Sequence, residues 1–162
     1  MAKALDQPSL YDTDYVAWLD EQAQHLRAGR LGELDVENVA EELESLMSSE
    51  RRELENRLEV LILHLLKWDH QPDQRSNRWR ATVQEQRTRI RRLLRDSPSL
   101  KREVEPMCHD VYADAVEGAA IETLLSEALF PSALPYSVEQ IFERELPAEE
   151  LPEQRPLRKK HR

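Results

Sequence analysis

The chain has 162 residues, of which 40% are hydrophobic, 34% are charged and only 3 are glycine. This length favours one domain with its own core, and the composition is too apolar for general disorder and too polar for a membrane protein. So few glycines argue against a β-sandwich, a β-barrel or a glycine-rich nucleotide-binding fold.

The cysteine content and the hydropathy pattern both bear on localisation. Cys108 is the only cysteine, so no disulfide forms within the chain, and a reducing compartment is expected. The first residues lack the apolar segment of a signal peptide. The most apolar run, Leu58–Trp68, is shorter than the roughly 20 apolar residues that cross a bilayer. We therefore expect a soluble, cytoplasmic protein that does not act at a membrane.

The first predicted helix covers residues 13–28. Asp12 or Thr13 is suited to cap its start, because a short side-chain oxygen can accept a hydrogen bond from a free first-turn N–H group. Gly29 stands where a left-handed C-cap would end the helix.

The second predicted helix is the longest and covers residues 36–67, with Asp35 as its N-cap. Its apolar positions recur at steps of three and four, the spacing of a packed helix, and they skip once at Glu50 and Arg51. The second half is apolar nearly all round, so we expect it to be buried on several sides. The spaced apolar residues are Val36, Val39, Leu43, Leu46, Met47, Leu54, Leu58, Leu61 and Leu65.

The third predicted helix covers residues 78–96 and follows a polar loop at residues 68–77. Its apolar stripe is flanked on both sides by arginines, so its polar surface is basic almost throughout. The arginines of this helix are Arg78, Arg80, Arg87, Arg89, Arg91, Arg92 and Arg95.

The fourth predicted helix begins after Ser97 and ends near residue 125 or 129. Pro106 should kink or restart it, because proline lacks the N–H group that a helix interior uses. A short last helix covers residues 138–146.

The sequence thus predicts an all-α fold, a bundle of four main helices with one long central helix and a short C-terminal helix. We expect residues 1–146 to form a single domain. Residues 147–162 would be a flexible tail that is first rich in proline and then basic.

The net charge of −9 conceals four segments of alternating sign. Residues 1–74 carry a net charge of −10, residues 75–102 carry +8, residues 103–154 carry −12 and residues 155–162 carry +5. Such a pattern is found in proteins that bind nucleic acid, but it also arises when helices of opposite charge face each other. We favour the second interpretation.

A short loop makes the second and third predicted helices antiparallel neighbours. In that arrangement Glu53, Glu55 and Glu59 would lie within reach of Arg87 and Arg91. These acids would partly neutralise the basic helix and remove free charges that phosphate groups would otherwise contact.

The sequence resembles a bacterial family, the domain of unknown function number 29, over roughly residues 10–145. The resemblance implies an α-helical protein, and it implies no activity and no catalytic residue. It rests on four segments: Tyr11–Trp18, then Leu34-Asp35-x-Glu37-Asn38, then His64–Trp68 with Gln71-Pro72, and Ser97-Pro98-Ser99-Leu100.

We predict no catalytic residue, no metal site and no cofactor. Bundles that bind metals often use a histidine three positions after a glutamate, and none of the five histidines has one there. Cys108 and His109 are adjacent, so on a helix their side chains point about 100° apart and do not pair.

A candidate polar site in the core combines Glu50, Arg51 and His64. His64 lies among leucines, where its ring needs a hydrogen-bonding partner. A backbone carbonyl or a tyrosine hydroxyl is the simplest partner. A weaker alternative is a hydrolase or metal site formed by His64 with Glu41 or Glu44.

A candidate ligand or partner surface lies in the loop between two tryptophans. Aromatic rings beside arginines can stack bases and hold phosphates, but tryptophans also anchor helix ends in a core, and we favour anchors. The residues of this surface are Trp68, His70, Gln71, Arg75, Arg78 and Trp79.

The functional hypothesis is a non-enzymatic helical module that binds another protein. The alternative is a protein that associates with nucleic acid through the arginine-rich residues 75–95 and the basic tail. A homodimer is a further possibility, because the long second helix carries more apolar surface than one neighbour would cover.

Overall fold

The computed structural model describes residues 9–148, and within that range it contains seven α-helices and no strand. The prediction of an all-α fold with one long central helix is therefore confirmed. The helices are α1 (Leu10–Thr13), α2 (Tyr15–Arg27), α3 (Val36–His70), α4 (Asn77–Asp96), α5 (Val104–Asp110), α6 (Tyr112–Thr123) and α7 (Val138–Glu143).

The chain divides into two compact units between Glu50 and Arg51. We call residues 9–50 the hairpin and residues 51–148 the bundle. A single domain over residues 1–146 stays a prediction. The predicted tail lies outside the described residues, apart from Pro147 and Ala148.

The start of the hairpin differs from the prediction. Ser9 caps a separate one-turn helix, α1, and its hydroxyl accepts a hydrogen bond from the N–H group of Asp12. Asp14, not Asp12 or Thr13, then caps α2, because its carboxylate accepts the N–H group of Ala17 at 3.0 Å.

The end of α2 confirms the prediction for Gly29, which has a φ of 68°. The N–H group of Gly29 donates to the carbonyl of Leu26, and that of Arg30 donates to the carbonyl of His25. These two bonds form a Schellman motif, which satisfies carbonyls that the helix leaves free at its end.

The long helix α3 runs from Val36 to His70, three residues beyond its predicted end. Asp35 caps it as predicted, accepting the N–H group of Asn38 at 3.3 Å. The part of α3 in the bundle is largely buried, and the buried residues there are Leu54, Leu58, Leu61, Ile62, Leu63, Leu65, Leu66, Lys67 and Trp68.

Two helices pack along the bundle part of α3. Lys67 contacts Trp79 and Arg57 contacts Gln86, so α4 is antiparallel to α3, as predicted. Along α6 the contacts advance in the same direction as α3: an added side chain at Gly118 would meet Leu63, and Glu122 pairs with Lys67. The core of the bundle lies between α3, α4 and α6, and residues of α5 and α7 also contribute to it.

The predicted fourth helix is divided into three segments. A 3₁₀ helix covers Pro98–Glu103, and the α-helices α5 and α6 follow it. Pro106 stands in the first turn of α5, where a missing N–H group costs no hydrogen bond, so it restarts the helix as expected. The left-handed backbone of Leu124, with a φ of 58°, ends α6 earlier than predicted.

The last helix, α7, is shorter than predicted and ends at Glu143, three residues before Leu146. Ser137 caps its start, accepting the N–H group of Gln140, while the Gln140 side chain accepts the N–H group of Ser137. This capping box satisfies two first-turn donors and fixes where the short helix begins.

Candidate functional site

The hairpin joins α2 to the first half of α3 through polar contacts. Trp18 is buried, and its indole Nε1 donates to Asp35 at 3.2 Å. The amide oxygen of Gln22 accepts the backbone N–H group of Asp35 at 2.8 Å. At the other end of α2, Tyr15 donates to Glu42 at 2.7 Å. The pairing of Tyr15 with Glu42 and Gln22 with Asp35 makes the two helices antiparallel.

Glu42 accepts hydrogen bonds from two tyrosine hydroxyls, those of Tyr15 and Tyr11, each at 2.7 Å. These bonds lower the pKa of Glu42, and the bond to Glu42 is the main cause that raises the pKa of Tyr11 to about 12. The rings of Tyr11 and Tyr15 lie 4.8 and 5.9 Å from that of Trp18. Tyr11, Tyr15 and Trp18 therefore form an aromatic cluster at this end of the hairpin, and the carboxylate of Glu42 joins it to α3.

Most of the hairpin's apolar side chains face outward. Of thirteen large apolar side chains that are exposed among residues 9–148, ten lie in the hairpin and three in the bundle. Trp18 is the one apolar side chain that is buried within residues 9–50. The ten exposed residues are Leu10, Tyr15, Val16, Leu19, Leu26, Leu31, Val36, Leu43, Leu46 and Met47.

Helical geometry places six of these residues on one side of the hairpin. On α2, Leu19 and Leu26 are turned about 70° from the residues that contact α3, and Val16 lies further round in the same sense. On α3, Val36 and Leu43 are turned about 100°, again in the same sense, from those that contact α2.

When two helices pack antiparallel, side chains that are rotated by similar angles in the same sense from the contacting residues lie on the same side of the helix pair. We call this surface the apolar face of the hairpin, and it comprises Val16, Leu19, Leu26, Val36, Leu43 and Met47. A continuous apolar surface of this kind is typical of sites where another molecule binds.

The predicted polar site of Glu50, Arg51 and His64 does not form as one cluster. Arg51 and Glu103 make two hydrogen bonds, at 3.0 and 3.3 Å. Glu50 is an exposed residue of the hairpin. His64 lies thirteen residues beyond Arg51 on α3, about 20 Å along the axis.

The ring of His64 is half-buried, and its Nδ1 donates to the carbonyl of Val60 at 2.9 Å. A backbone carbonyl thus satisfies it, as favoured from the sequence. Burial lowers the pKa of His64, and its bond to Val60 only partly opposes the shift, so the ring is neutral near pH 7. Glu41 and Glu44, its proposed partners in a hydrolase site, are exposed residues of the hairpin.

Residues 9–148 contain no group of three or more His, Cys, Asp or Glu side chains placed to hold a metal ion. Cys108 is fully buried, and burial raises the pKa of its thiol to about 11. A protonated, inaccessible thiol is a poor nucleophile.

The loop between the two tryptophans ties helix ends together. Trp68 is only 2% exposed, so its ring is not part of a surface. Arg75 donates to the carbonyl of Trp68 at 2.8 Å, and its guanidinium lies 5.3 Å from the ring centre. Trp79 is half-buried, with the ammonium group of Lys67 4.4 Å above its ring.

The other loop residues have separate environments. The ring of His70 lies 4.8 Å from that of Phe130, and Gln71 donates to the carbonyl of Thr123 at 2.9 Å. Arg78 is exposed. These contacts suit an anchoring role, and what the exposed part of the loop binds stays a prediction.

The predicted pairing of α4 arginines with α3 acids is wrong for Arg87 and Arg91. Arg87 is buried and donates to the carbonyls of Ile141 and Arg144, both at 2.8 Å. Arg91 contacts the carbonyl of Phe142 and the carboxylate of Glu143. The reason is that the end of α7 lies against α4, and the free carbonyls at that end require donors.

Of the three acids of α3 that were expected to pair with α4, Glu53 has a different partner. Glu53 pairs with Arg57 on its own helix, and Arg57 donates to Gln86 of α4 at 3.2 Å. On α4 itself, Arg89 pairs with Glu85, and both Arg92 and Arg95 pair with Asp96.

A groove of about 980 Å³ lies between α4 and the segment around the end of α7. Arg80, Arg87, Arg91 and Arg144 line it together with Glu143 and Glu145. Arg91 and Arg144 are paired with carboxylates, and the guanidinium of Arg87 is held by backbone carbonyls, so three of the four arginines are already engaged within the bundle.

Sequence reasoning missed an ion pair that fastens α7 to α3. Arg144 makes two hydrogen bonds to the carboxylate of Asp69, at 2.8 and 2.5 Å, and the hydroxyl of Tyr136 adds a third at 2.8 Å. Burial alone would raise the pKa of Asp69, but the bonds from Arg144 and Tyr136 outweigh it and lower the pKa. One signal was present: Arg144 is the single base in the acidic segment 103–154.

These features define a helical protein with a packed bundle and a hairpin that exposes an apolar face. No helix among residues 9–148 is long and apolar enough to cross a membrane. A comparison with family models adds that the chain matches the domain of unknown function DUF29 over residues 10–156. The chain belongs to this family, which confirms the resemblance seen in the sequence. Comparisons with curated proteins and with solved structures returned no match.

Proposed function

We propose that this protein is a non-enzymatic interaction module and that it binds another protein through the apolar face of the hairpin. The observation that carries this proposal is the concentration of exposed apolar side chains in residues 10–47. The described part of the bundle exposes only Ile121, Leu124 and Leu129 among its large apolar residues.

The apolar face has the features of a partner surface. Leaving a large aliphatic side chain in water forgoes about 1.5–3 kcal/mol of burial free energy, and a cluster of six forgoes several times that. Single exposed leucines are ordinary, whereas a patch formed by two helices indicates a surface that another molecule covers.

The test is affinity capture from a lysate of the source organism with three forms of the full chain. The wild type is compared with Leu43→Asp, which places a charge on the apolar face, and with Leu129→Asp as the matched control. Leu43 and Leu129 are 63% and 60% exposed, so neither substitution should unfold the protein. Circular dichroism checks the fold of each variant.

We expect one stoichiometric partner that the wild type and Leu129→Asp retain and that Leu43→Asp loses. Identical sets of captured proteins for all three forms, or a loss confined to Leu129→Asp, would contradict the proposal.

Binding of nucleic acid has less support. Five of the α4 arginines engage groups of the bundle itself, and only Arg78 and Arg80 remain exposed on α4 without a contact among residues 9–148. Fluorescence anisotropy with RNA and duplex DNA at low and moderate salt tests this alternative, and absence of binding at low salt would dismiss it.

A cytoplasmic location remains our expectation. The chain has one cysteine and therefore gains nothing from an oxidising compartment. Imaging of the tagged protein in its own cells would check this point.

A further inference from the structure

We infer that the apolar face of the hairpin receives a cationic amphipathic helix, with its apolar residues on the face and its Lys or Arg residues along the acidic edge formed by α3. This inference rests on the proposed function and names the chemistry of the partner. It is carried by the charges that border the apolar face.

Carboxylates lie along both outer edges of the face. On α3, Glu37, Glu41 and Glu44 are exposed and follow the apolar positions by about a quarter to a third of a turn, on the side away from α2. On α2, Asp20 is exposed and follows Leu19 in the same way. The edge formed by α3 therefore carries negative charge next to apolar surface, whereas the edge formed by α2 carries one acid and one base, Asp20 and Arg27.

These carboxylates have no cationic partner within residues 9–148. Within residues 9–50, the acid that lies against basic side chains is Glu33, which contacts His25 and Arg30. Asp20 accepts a hydrogen bond from the neutral amide of Gln24. Arg27 is the one base near the edge formed by α2. A partner with positive charges would thus find acids that the protein has not neutralised.

The charge of the hairpin argues against a second copy as the occupant. Residues 9–50 contain eleven Asp and Glu residues against Arg27 and Arg30, a net charge of −9. Two such surfaces placed face to face would bring like charges together, which opposes association. A basic partner gains from the same field, both in affinity and in its rate of encounter.

The dimensions of the face suit a helix. From Val36 to Met47 it extends about 17 Å along α3, and from Val16 to Leu26 about 15 Å along α2. A third helix of about three turns would span this length and place residues i, i+3 or i+4, and i+7 on the apolar residues. It would lie in the channel between two antiparallel helices, a common arrangement in bundles.

The experiment uses the full chain and three synthetic peptides of about 18 residues. The first has leucines at i, i+3, i+4 and i+7 with lysines elsewhere, the second replaces each lysine by glutamate, and the third has the composition of the first in an order without an apolar face. Isothermal titration calorimetry measures binding at about 50 and 300 mM salt.

We expect the lysine peptide to bind, to weaken as salt rises and to lose affinity with Leu43→Asp. We also expect Glu37→Gln, Glu41→Gln and Glu44→Gln together to reduce its affinity about tenfold. The matched control removes three exposed acids of the bundle, Glu105, Glu117 and Glu127, and should leave the affinity nearly unchanged.

Several outcomes would overturn the inference. One is equal binding of the lysine and glutamate peptides. Another is an equal loss of affinity for the lysine peptide in both triple variants, which would indicate only a general attraction between opposite charges. A dimer in sedimentation that Leu43→Asp abolishes would assign the face to a second copy. Binding to vesicles of neutral phosphatidylcholine would assign it to a membrane.

The inference and the proposed function fail in different ways. If capture of a partner depends on Leu43 but the lysine peptide does not bind, the proposed interaction module stands and the proposed cationic helix is wrong. If capture does not depend on Leu43, both the proposed function and the inference of a cationic helix are wrong.

Discussion

The hairpin and the bundle are built from similar amphipathic helices, yet they bury their apolar side chains to very different extents. In the bundle, twenty-one apolar side chains form one buried core, whereas Trp18 is the one buried in residues 9–50. The helix α3 contributes to both units, but its first half carries a single apolar stripe and its second half is apolar nearly all round. Regular spacing therefore predicts where an apolar stripe lies, but it does not show whether a neighbouring helix covers that stripe.

The two units also differ in what stabilises them. Each buried aliphatic side chain of the bundle contributes about 1.5–3 kcal/mol. The described contacts between α2 and α3 in the hairpin are mainly hydrogen bonds, and such bonds contribute about 0.5–1.5 kcal/mol each. We therefore expect the hairpin to open at a lower free energy than the bundle.

The largest expected effect comes from a matched pair of leucines on α3. Leu61→Ala should destabilise the bundle by about 2–5 kcal/mol, because Leu61 is fully buried and its truncation leaves a cavity. Leu43→Ala on the exposed face should change stability by less than about 0.5 kcal/mol. Urea denaturation measures both, and similar losses would abolish the contrast between the two units.

Asp69→Asn should cost the bundle about 1–3 kcal/mol, since the guanidinium of Arg144 loses its charged partner in a half-buried place. The pKa of Asp69 is lower in the folded state than its unfolded value of about 3.9, so the pair stabilises the protein above that pH. This contribution disappears as the pH falls through the folded pKa. Unfolding measured from pH 7 to pH 2 checks this, and an equally steep loss in Asp69→Asn would contradict it.

Trp18→Phe should destabilise the hairpin by about 1–2 kcal/mol, because it removes the indole bond to Asp35 and part of the buried ring. Native-state hydrogen exchange should show faster exchange for amides of α2 and little change in α4. Uniform acceleration in both helices would mean that the hairpin and the bundle open together.

Gly29→Ala should weaken the end of α2 by about 1 kcal/mol, because alanine is strained at a φ of 68°. Gly32→Ala is the control, since an added Cβ meets no atom within 4 Å at either glycine and Gly32 has no positive φ. Hydrogen exchange in α2 should respond to the first substitution alone. Equal responses would show that the left-handed backbone at Gly29 has no special cost.

Local signals in the sequence predicted much of the fold. Gly29 and Asp35 act as caps where their residue types indicated, and the leucine spacing identified the long helix α3 almost to its end. Each of these predictions depends on interactions within a few residues. The start of α2 failed for the same reason, since Ser9 offers a competing cap and Asp14 is as good a cap as Asp12.

Contacts between residues far apart in the chain could not be predicted from such local signals. The partners of Arg87 lie 54 and 57 residues away on the carbonyls of α7, and a carbonyl leaves no mark in the sequence. Asp69 and Arg144 are 75 residues apart. The apolar face was also not foreseen, because the single apolar stripe in the first half of α3 has the spacing of a packed helix, and spacing does not reveal that no described helix covers it.

The attachment of α7 to α4 has a practical consequence for any shortened form of this protein. The carbonyls of Ile141 and Arg144 and the carboxylate of Glu143 mask the positive charge of Arg87 and Arg91. A chain cut before Ser137 would expose both guanidinium groups to solvent on the most basic helix, free to attract phosphates. Such a fragment would present a basic patch that the intact molecule covers, and any binding of nucleic acid to that patch would be a property of the cut and not of the intact molecule.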